Sequence, residues 1–236
     1  MNKVGTFEKM SHKHGYRRIV AKTVVVCRGQ SFECLNKKIM SACTQLVIVN
    51  DWEHHQPHEF LERYENRNLI NFLTDMENRQ PRYTLERLAN VGKMRAERAE
   101  DALKSHRGKF KSLDNAKRAA FYRLWDTGDT GLRAIAIYSL DTTSILIAGL
   151  DFWEAPYWIS PVKPMPEREF NKKKRAKGLQ RKNRYLARLT EWVRCKDDTM
   201  FVFVSYSQSL IDYCQKHPIG NCIINPSSVN GQQSGE

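Results

Sequence analysis

The residues best suited to chemistry stand in "WDTGDTGLRAIAIYSLDTTSILIAGLDFWEAPYW", residues 125–158. Thr127-Gly128 and Thr130-Gly131 precede a helical stretch, so hydroxyls and unhindered backbone N–H groups can face an anion there. The apolar run "TSILIAG" then delivers Gly149, Asp151 and the aromatics Phe152, Trp153, Tyr157 and Trp158. Rings beside such a turn can stack a base or line a sugar site. Two readings stay open: a hydrophobic plug under one loop of an α/β fold, or a pocket that grips a nucleotide.

Two further strand ends carry residues of the same kind. "KTVVVC" runs into Cys27-Arg28-Gly29-Gln30-Ser31, where Gly29 lets the backbone approach a ligand and a following helix N-terminus offers N–H groups. "QLVIVN" ends in Asn50-Asp51, polar groups placed to read a base or a sugar. Neither signal is specific, since the first turn is not a GxGxxG and no GxxxxGK[ST] loop is present. The loop "DWEHHQPHE" holds His54, His55 and His58 with Glu53 and Glu59, residue types that can bind zinc. Pro57 breaks any helix that would align the histidines, so a surface loop without metal is the preferred reading.

The elements that must position these residues follow from the hydrophobic pattern. "KTVVVC", "QLVIVN", "NLINFLT", "TSILIAG" and "TMFVFVS" read as buried strands. Ser31 is the expected N-cap of a helix over "FECLNKKIM". A helical pattern runs from Thr84 to about Lys104 and resumes in "DNAKRAAFYRLWD", capped by Asp114. Further helices are expected at Leu132–Ser139, from about Pro166 to Arg194, and over "QSLIDYCQK". The long one has Leu179, Leu186, Leu189 and Val193 as its apolar stripe. Strands alternating with helices imply a Rossmann-like α/β domain: a mostly parallel sheet, helices on both faces, and a helical insertion at about 84–125. The expected organisation is a flexible basic arm over 1–21, one α/β domain over 22–225 and a disordered tail over 226–236.

Composition bounds the partners. The chain has 236 residues, 41% hydrophobic, enough for one globular domain. No apolar run approaches the ~20 residues of a membrane span and no signal-peptide core precedes the first strand, so a cytoplasmic protein is expected. The six cysteines lack CxxC spacing and read as reduced core residues. Net charge is +13, and the stretch 167–188 sets ten Lys or Arg against two Glu. Lys172, Lys173, Lys174, Arg175, Arg181 and Lys182 make this a basic surface for nucleic acid, an anionic glycan or a membrane surface, or simply a solvated helix face.

The order of "VVVCRGQSFECL", "VIVN" and "DTGLRAIAIYSLDTTSILIAGLDFWEAPYW" resembles the sialyltransferases, the bacterial type more than the animal one. The likeness spans most of the chain in short, degenerate motifs, including a closing strand–Ser–helix unit at "YSQSLI". It implies a CMP-linked donor sugar, a glycan acceptor, no other cofactor and no metal. By the same resemblance Gly29, Gln30, Ser31, Asn50, Thr130, Gly131, Gly149 and Asp151 would hold the donor, with Tyr157 near its phosphate. The chain departs from that pattern in having no histidine between Phe152 and Arg194, where those enzymes place their general base. His55, on the loop after the second strand, is the substitute candidate.

The first expectation is therefore a glycosyltransferase moving sialic acid or a related nonulosonic acid from a CMP-linked donor to a glycan hydroxyl. The alternative is a catalytically inactive nucleic-acid-binding protein on an α/β scaffold. It would use the basic helix with Tyr185 and Trp192 as stacking surface.

Overall fold

The computed structural model describes residues 21–27, 29–35, 43–49, 70–74, 94–154 and 166–225, with backbone only at 30, 33, 70–74, 94–97, 166–175 and 225. The segments expected as arm and tail lie outside these, except Ala21.

Seven strands form one sheet: β1 (Thr23–Val26), β2 (Gln45–Val49), β3 (Ile70–Thr74), β4 (Met94–Arg98), β5 (Ser144–Ala148), β6 (Met200–Val204) and β7 (Cys222–Asn225). Their order is β4-β3-β2-β1-β5-β6-β7, and every neighbouring pair is parallel. The five apolar runs picked out in the sequence are β1, β2, β3, β5 and β6. Continuous β-branched and aromatic stretches of this kind suit strands covered on both faces.

Among the described residues six α-helices accompany them: α1 (Ala99–Ser105), α2 (Arg107–Lys111), α3 (Asn115–Trp125), α4 (Thr130–Tyr138), α5 (Pro166–Cys195) and α6 (Gln208–Lys216). Asp114 caps α3 as expected, accepting from Lys117 N–H at 2.7 Å. Strand residues alternate between two cores. On one face Val25, Val47, Ile145, Ile147, Phe201 and Phe203 meet Phe121, Leu124, Ile135, Leu189 and Trp192 from α3, α4 and α5. On the other, Val24, Val26, Leu46, Ile48, Leu146 and Val202 meet Phe32 and Leu35. That division follows from right-handed crossovers: strand order runs outward from β1 to β4, then returns past β1 and continues the opposite way from β5.

Three expectations change. Met94–Arg98 is an edge strand and not part of a helix, so α1, α2 and α3 belong to the return crossover from β4 to β5. "MRAER" has helix-forming residues, but pairing with β3 overrides propensity, and charged side chains suit a sheet edge. The segment after β1 is a 3-10 helix, Gln30–Cys34, with Gly29 and not Ser31 at its N-cap. Leu179, assigned to the buried stripe of α5, is 41% exposed, whereas Leu186, Leu189 and Val193 are buried.

Candidate functional site

Strand order reverses between the parallel neighbours β1 and β5, and in open α/β sheets the crevice at the carboxyl ends of such strands is where ligands bind. The two chains leaving these strands stay paired beyond them. Cys27 N–H donates to the Ala148 carbonyl and Gly29 N–H to the Gly149 carbonyl, both at 2.7 Å. This closeness requires both glycines. A Cβ on Gly29 would stand 2.4 Å from Asp151 Oδ2, and one on Gly149 would stand 2.3 Å from the Cys27 carbonyl oxygen. Gly149 also has φ +77°, a left-handed conformation that favours glycine.

Beneath this pairing lies a buried polar knot. Asp151 Oδ2 accepts from Ser31 N–H at 2.9 Å. Its Oδ1 accepts from Ser31 Oγ at 2.6 Å, Ser205 Oγ at 3.0 Å and Tyr206 N–H at 2.9 Å. Ser31 Oγ accepts in turn from Gly149 N–H at 2.9 Å. Asp151, Ser31 and Ser205 are all buried. One carboxylate thereby joins the ends of β1, β5 and β6, and its satisfied bonds offset the cost of burying charge.

The start of α4 closes against the same place. The Gly131 Cβ position lies 3.0 Å from Cys27 Sγ and 3.6 Å from Leu150 Cδ1, so Thr130-Gly131 rests on the ends of both central strands. Asp129 caps this helix, accepting from Leu132 N–H at 3.0 Å. The Cys27 thiol is pushed well above its ordinary range, by burial first and then by the charges of Asp129 and Asp151.

After Asp151 the chain makes a tight turn, with Glu154 N–H donating to the Asp151 carbonyl at 2.9 Å. Its central residues, Phe152 and Trp153, have φ of 46° and 63°. This is the geometry of a type I′ turn, a place usually given to Asn or Gly, and two aromatics there store strain. The surroundings hold it. Phe152 is buried in the core, and Trp153 covers Gly178 of α5, where a Cβ would fall 2.2 Å from the indole Cδ2. Glu154 accepts from Lys182 Nζ at 2.5 Å, from Ser207 Oγ and Ser209 N–H at 2.9 Å each, and from the Ser209 hydroxyl. Burial pushes the Glu154 carboxyl upward, but the bonds from Lys182, Ser209 and Ser207 outweigh it and hold it below its usual range.

The structure thus brings together Gly29, Ser31, Thr130, Gly131, Gly149 and Asp151. It also revises how they serve, because Asp129, Asp151 and Glu154 already accept N–H groups at the starts of α4, the 3-10 helix and α6. Helix N-termini expected to face a ligand anion carry the protein's own carboxylates. Ser31 and Asp151 bond to each other and are buried where the strand ends meet. Of the remaining candidates, Asn50, His55 and Tyr157 lie outside the described residues, as does the Gln30 side chain. Lys172, Lys173, Lys174 and Arg175 are in α5, their side chains outside the description. Arg181 is exposed, with Lys177 and Arg184. Lys182 does not extend the basic surface, because it turns inward to Glu154.

Tyr185 and Trp192 are likewise not a stacking surface. Both are buried, the Tyr185 hydroxyl donating to the Thr127 carbonyl at 2.9 Å and Trp192 Nε1 to Ser139 Oγ at 3.0 Å. Sequence reasoning missed Glu154 and Ser205. The closing "SYSQS" was the available signal, since Ser205, Ser207 and Ser209 all turn toward the two carboxylates. Among the described residues, no three His, Cys, Asp or Glu side chains are grouped to hold a metal ion. Nor is any described helix long and apolar enough to cross a membrane. No family model, curated protein or solved structure matches the chain.

Proposed function

We propose that the crevice between the ends of β1 and β5 holds a CMP-linked sugar, and that the protein transfers this sugar to a glycan hydroxyl. The observation that carries the reading is convergence: Gly29, Thr130-Gly131 and Gly149 meet at the point where strand order reverses. The resemblance of these segments to sialyltransferases supplies the donor class. In such a transfer the acceptor hydroxyl attacks the anomeric carbon, CMP departs, and a base takes the hydroxyl proton. Asp151 and Ser31 position the loops in this reading and do not touch the nucleotide. Donor contacts fall to the backbone around Gly29 and Thr130 and to Asn50, with Tyr157 near the phosphate and His55 as the candidate base.

Calorimetric titration of the full chain with CMP, against UMP and AMP as controls, tests the donor site. CMP-selective binding, weakened about tenfold by Asn50→Ala, is the expected result, since one polar contact is worth ~1.4 kcal/mol. The second reading, a polyanion surface, has support in exposed Lys177, Arg181 and Arg184 on α5. Absence of nucleotide binding, together with oligonucleotide binding that falls steeply with salt, would replace the first reading by the second.

A further inference from the structure

The amino ends of the strands carry a second basic surface, across the sheet from the crevice. Lys109 of α2 pairs with Asp141, just before β5, at 3.2 Å, and Lys117 of α3 with Asp197, just before β6, at 3.1 Å. Residues 104–118 hold six Lys or Arg against Asp114 alone. Lys104 is neutralised like Lys109 and Lys117, pairing with Asp101 at 2.8 Å. Among the described residues Arg107, Lys111 and Arg118 have no acidic partner, and Arg118 donates to the uncharged Asn115 side chain at 2.7 Å. An aromatic residue lies among these charges. Tyr122, one helical turn beyond Arg118, is 49% exposed. Phe110, one turn beyond Arg107 and next to Lys111, meets the Tyr122 ring in a T-shaped contact at 5.3 Å, and Phe121 does so at 6.1 Å. Phe110 itself turns inward onto Phe121 of the core. Gly108 has open space at its Cβ position.

We propose that α2 and α3 form a binding surface for single-stranded nucleic acid, with Arg107, Lys111 and Arg118 on its phosphates and Tyr122 stacked on a base. Cations alone would fit any polyanion. A half-exposed ring held in place by Phe110 and Phe121 adds a platform for a base, and bases offer their faces where they are unpaired. A membrane surface would need an apolar side chain to insert, and the one that α2 has, Phe110, faces the core. Lys177, Arg181 and Arg184 of α5 belong to the other end of the molecule, where neighbouring Lys182 and Tyr185 bond to Glu154 and the Thr127 carbonyl. The α2–α3 surface is therefore separate from both the crevice and the α5 cations. The inference does not rest on the transferase reading.

The test is fluorescence-anisotropy titration of the full chain with a labelled single strand of about 12 uridines across a salt series, with circular dichroism to verify that each variant is folded. Wild type should bind, and its affinity should fall steeply with salt. Combined Arg107→Ala, Lys111→Ala and Arg118→Ala should weaken binding at least about tenfold and flatten the log–log salt slope by about two, the share of three phosphate contacts. Tyr122→Ala should weaken binding about tenfold, whereas Tyr122→Phe keeps the ring and should bind as wild type. Gly108→Glu places a carboxylate in open space without a clash, so it should fold normally and bind less tightly. Combined Lys177→Ala, Arg181→Ala and Arg184→Ala should leave binding unchanged. Absence of oligomer binding by the wild type would overturn the proposal. So would a loss confined to the α5 variant, undiminished binding by Tyr122→Ala, or binding to anionic phospholipid vesicles in place of the oligomer.

Discussion

Asp151 marks the difference between a residue that touches a ligand and one that builds the place where a ligand rests. Its carboxylate accepts from Ser31, Ser205 and Tyr206, partners from two different strand ends. Asp151→Ala removes the acceptor of the buried Ser31 N–H and of the part-buried Tyr206 N–H, a loss of about 3 kcal/mol. Urea unfolding should show a lower midpoint with an unchanged slope. A donor-contacting aspartate would instead keep its midpoint and lose CMP affinity. None of this was visible locally. Ser31 before an apolar stretch reads as a helix cap, while its partner lies 120 residues further along the chain. The residue types at the site were legible, and their pairing was a product of the sheet.

At the scale of elements, Glu154 ties three pieces of chain: the strained turn after β5, helix α5 through Lys182, and the start of α6 through Ser207 and Ser209. Its folded-state pKa is depressed, so the linkage stabilises the fold above the unfolded-state pKa of about 4.3 and is lost as pH falls through the folded value. Wild type should therefore be more stable than Glu154→Gln at pH 7, with the gap narrowing below about pH 4. Denaturation series at the two pH values measure that gap directly. The helices were legible where an apolar face and a cap coincide, as in α3 with Asp114. "MRAER" was not, because an edge strand with one neighbour needs no apolar run and its residues favour a helix.

Across the whole molecule, β1 lies at the middle of the sheet and β4 and β7 lie at its rims. Opening free energies follow that placement. Hydrogen exchange should be slowest at the amides of Val25, Val47, Ile147 and Phe203, and at least about tenfold faster along β4 and β7. The sheet class was legible from five apolar runs alternating with helices. Strand order was not, since β5 could be assigned a neighbour only by knowing where the chain turns back.

That order has a consequence for how the protein is made. β1 leaves the ribosome first, yet one of its two partners, β5, begins only at Ser144. Until β5 is made, the Val24–Val26 run has β2 on one side and lacks its second partner on the other. An open apolar strand edge is a template for pairing with another chain. In the interval before β5 emerges, pairing with another chain competes with completing the sheet.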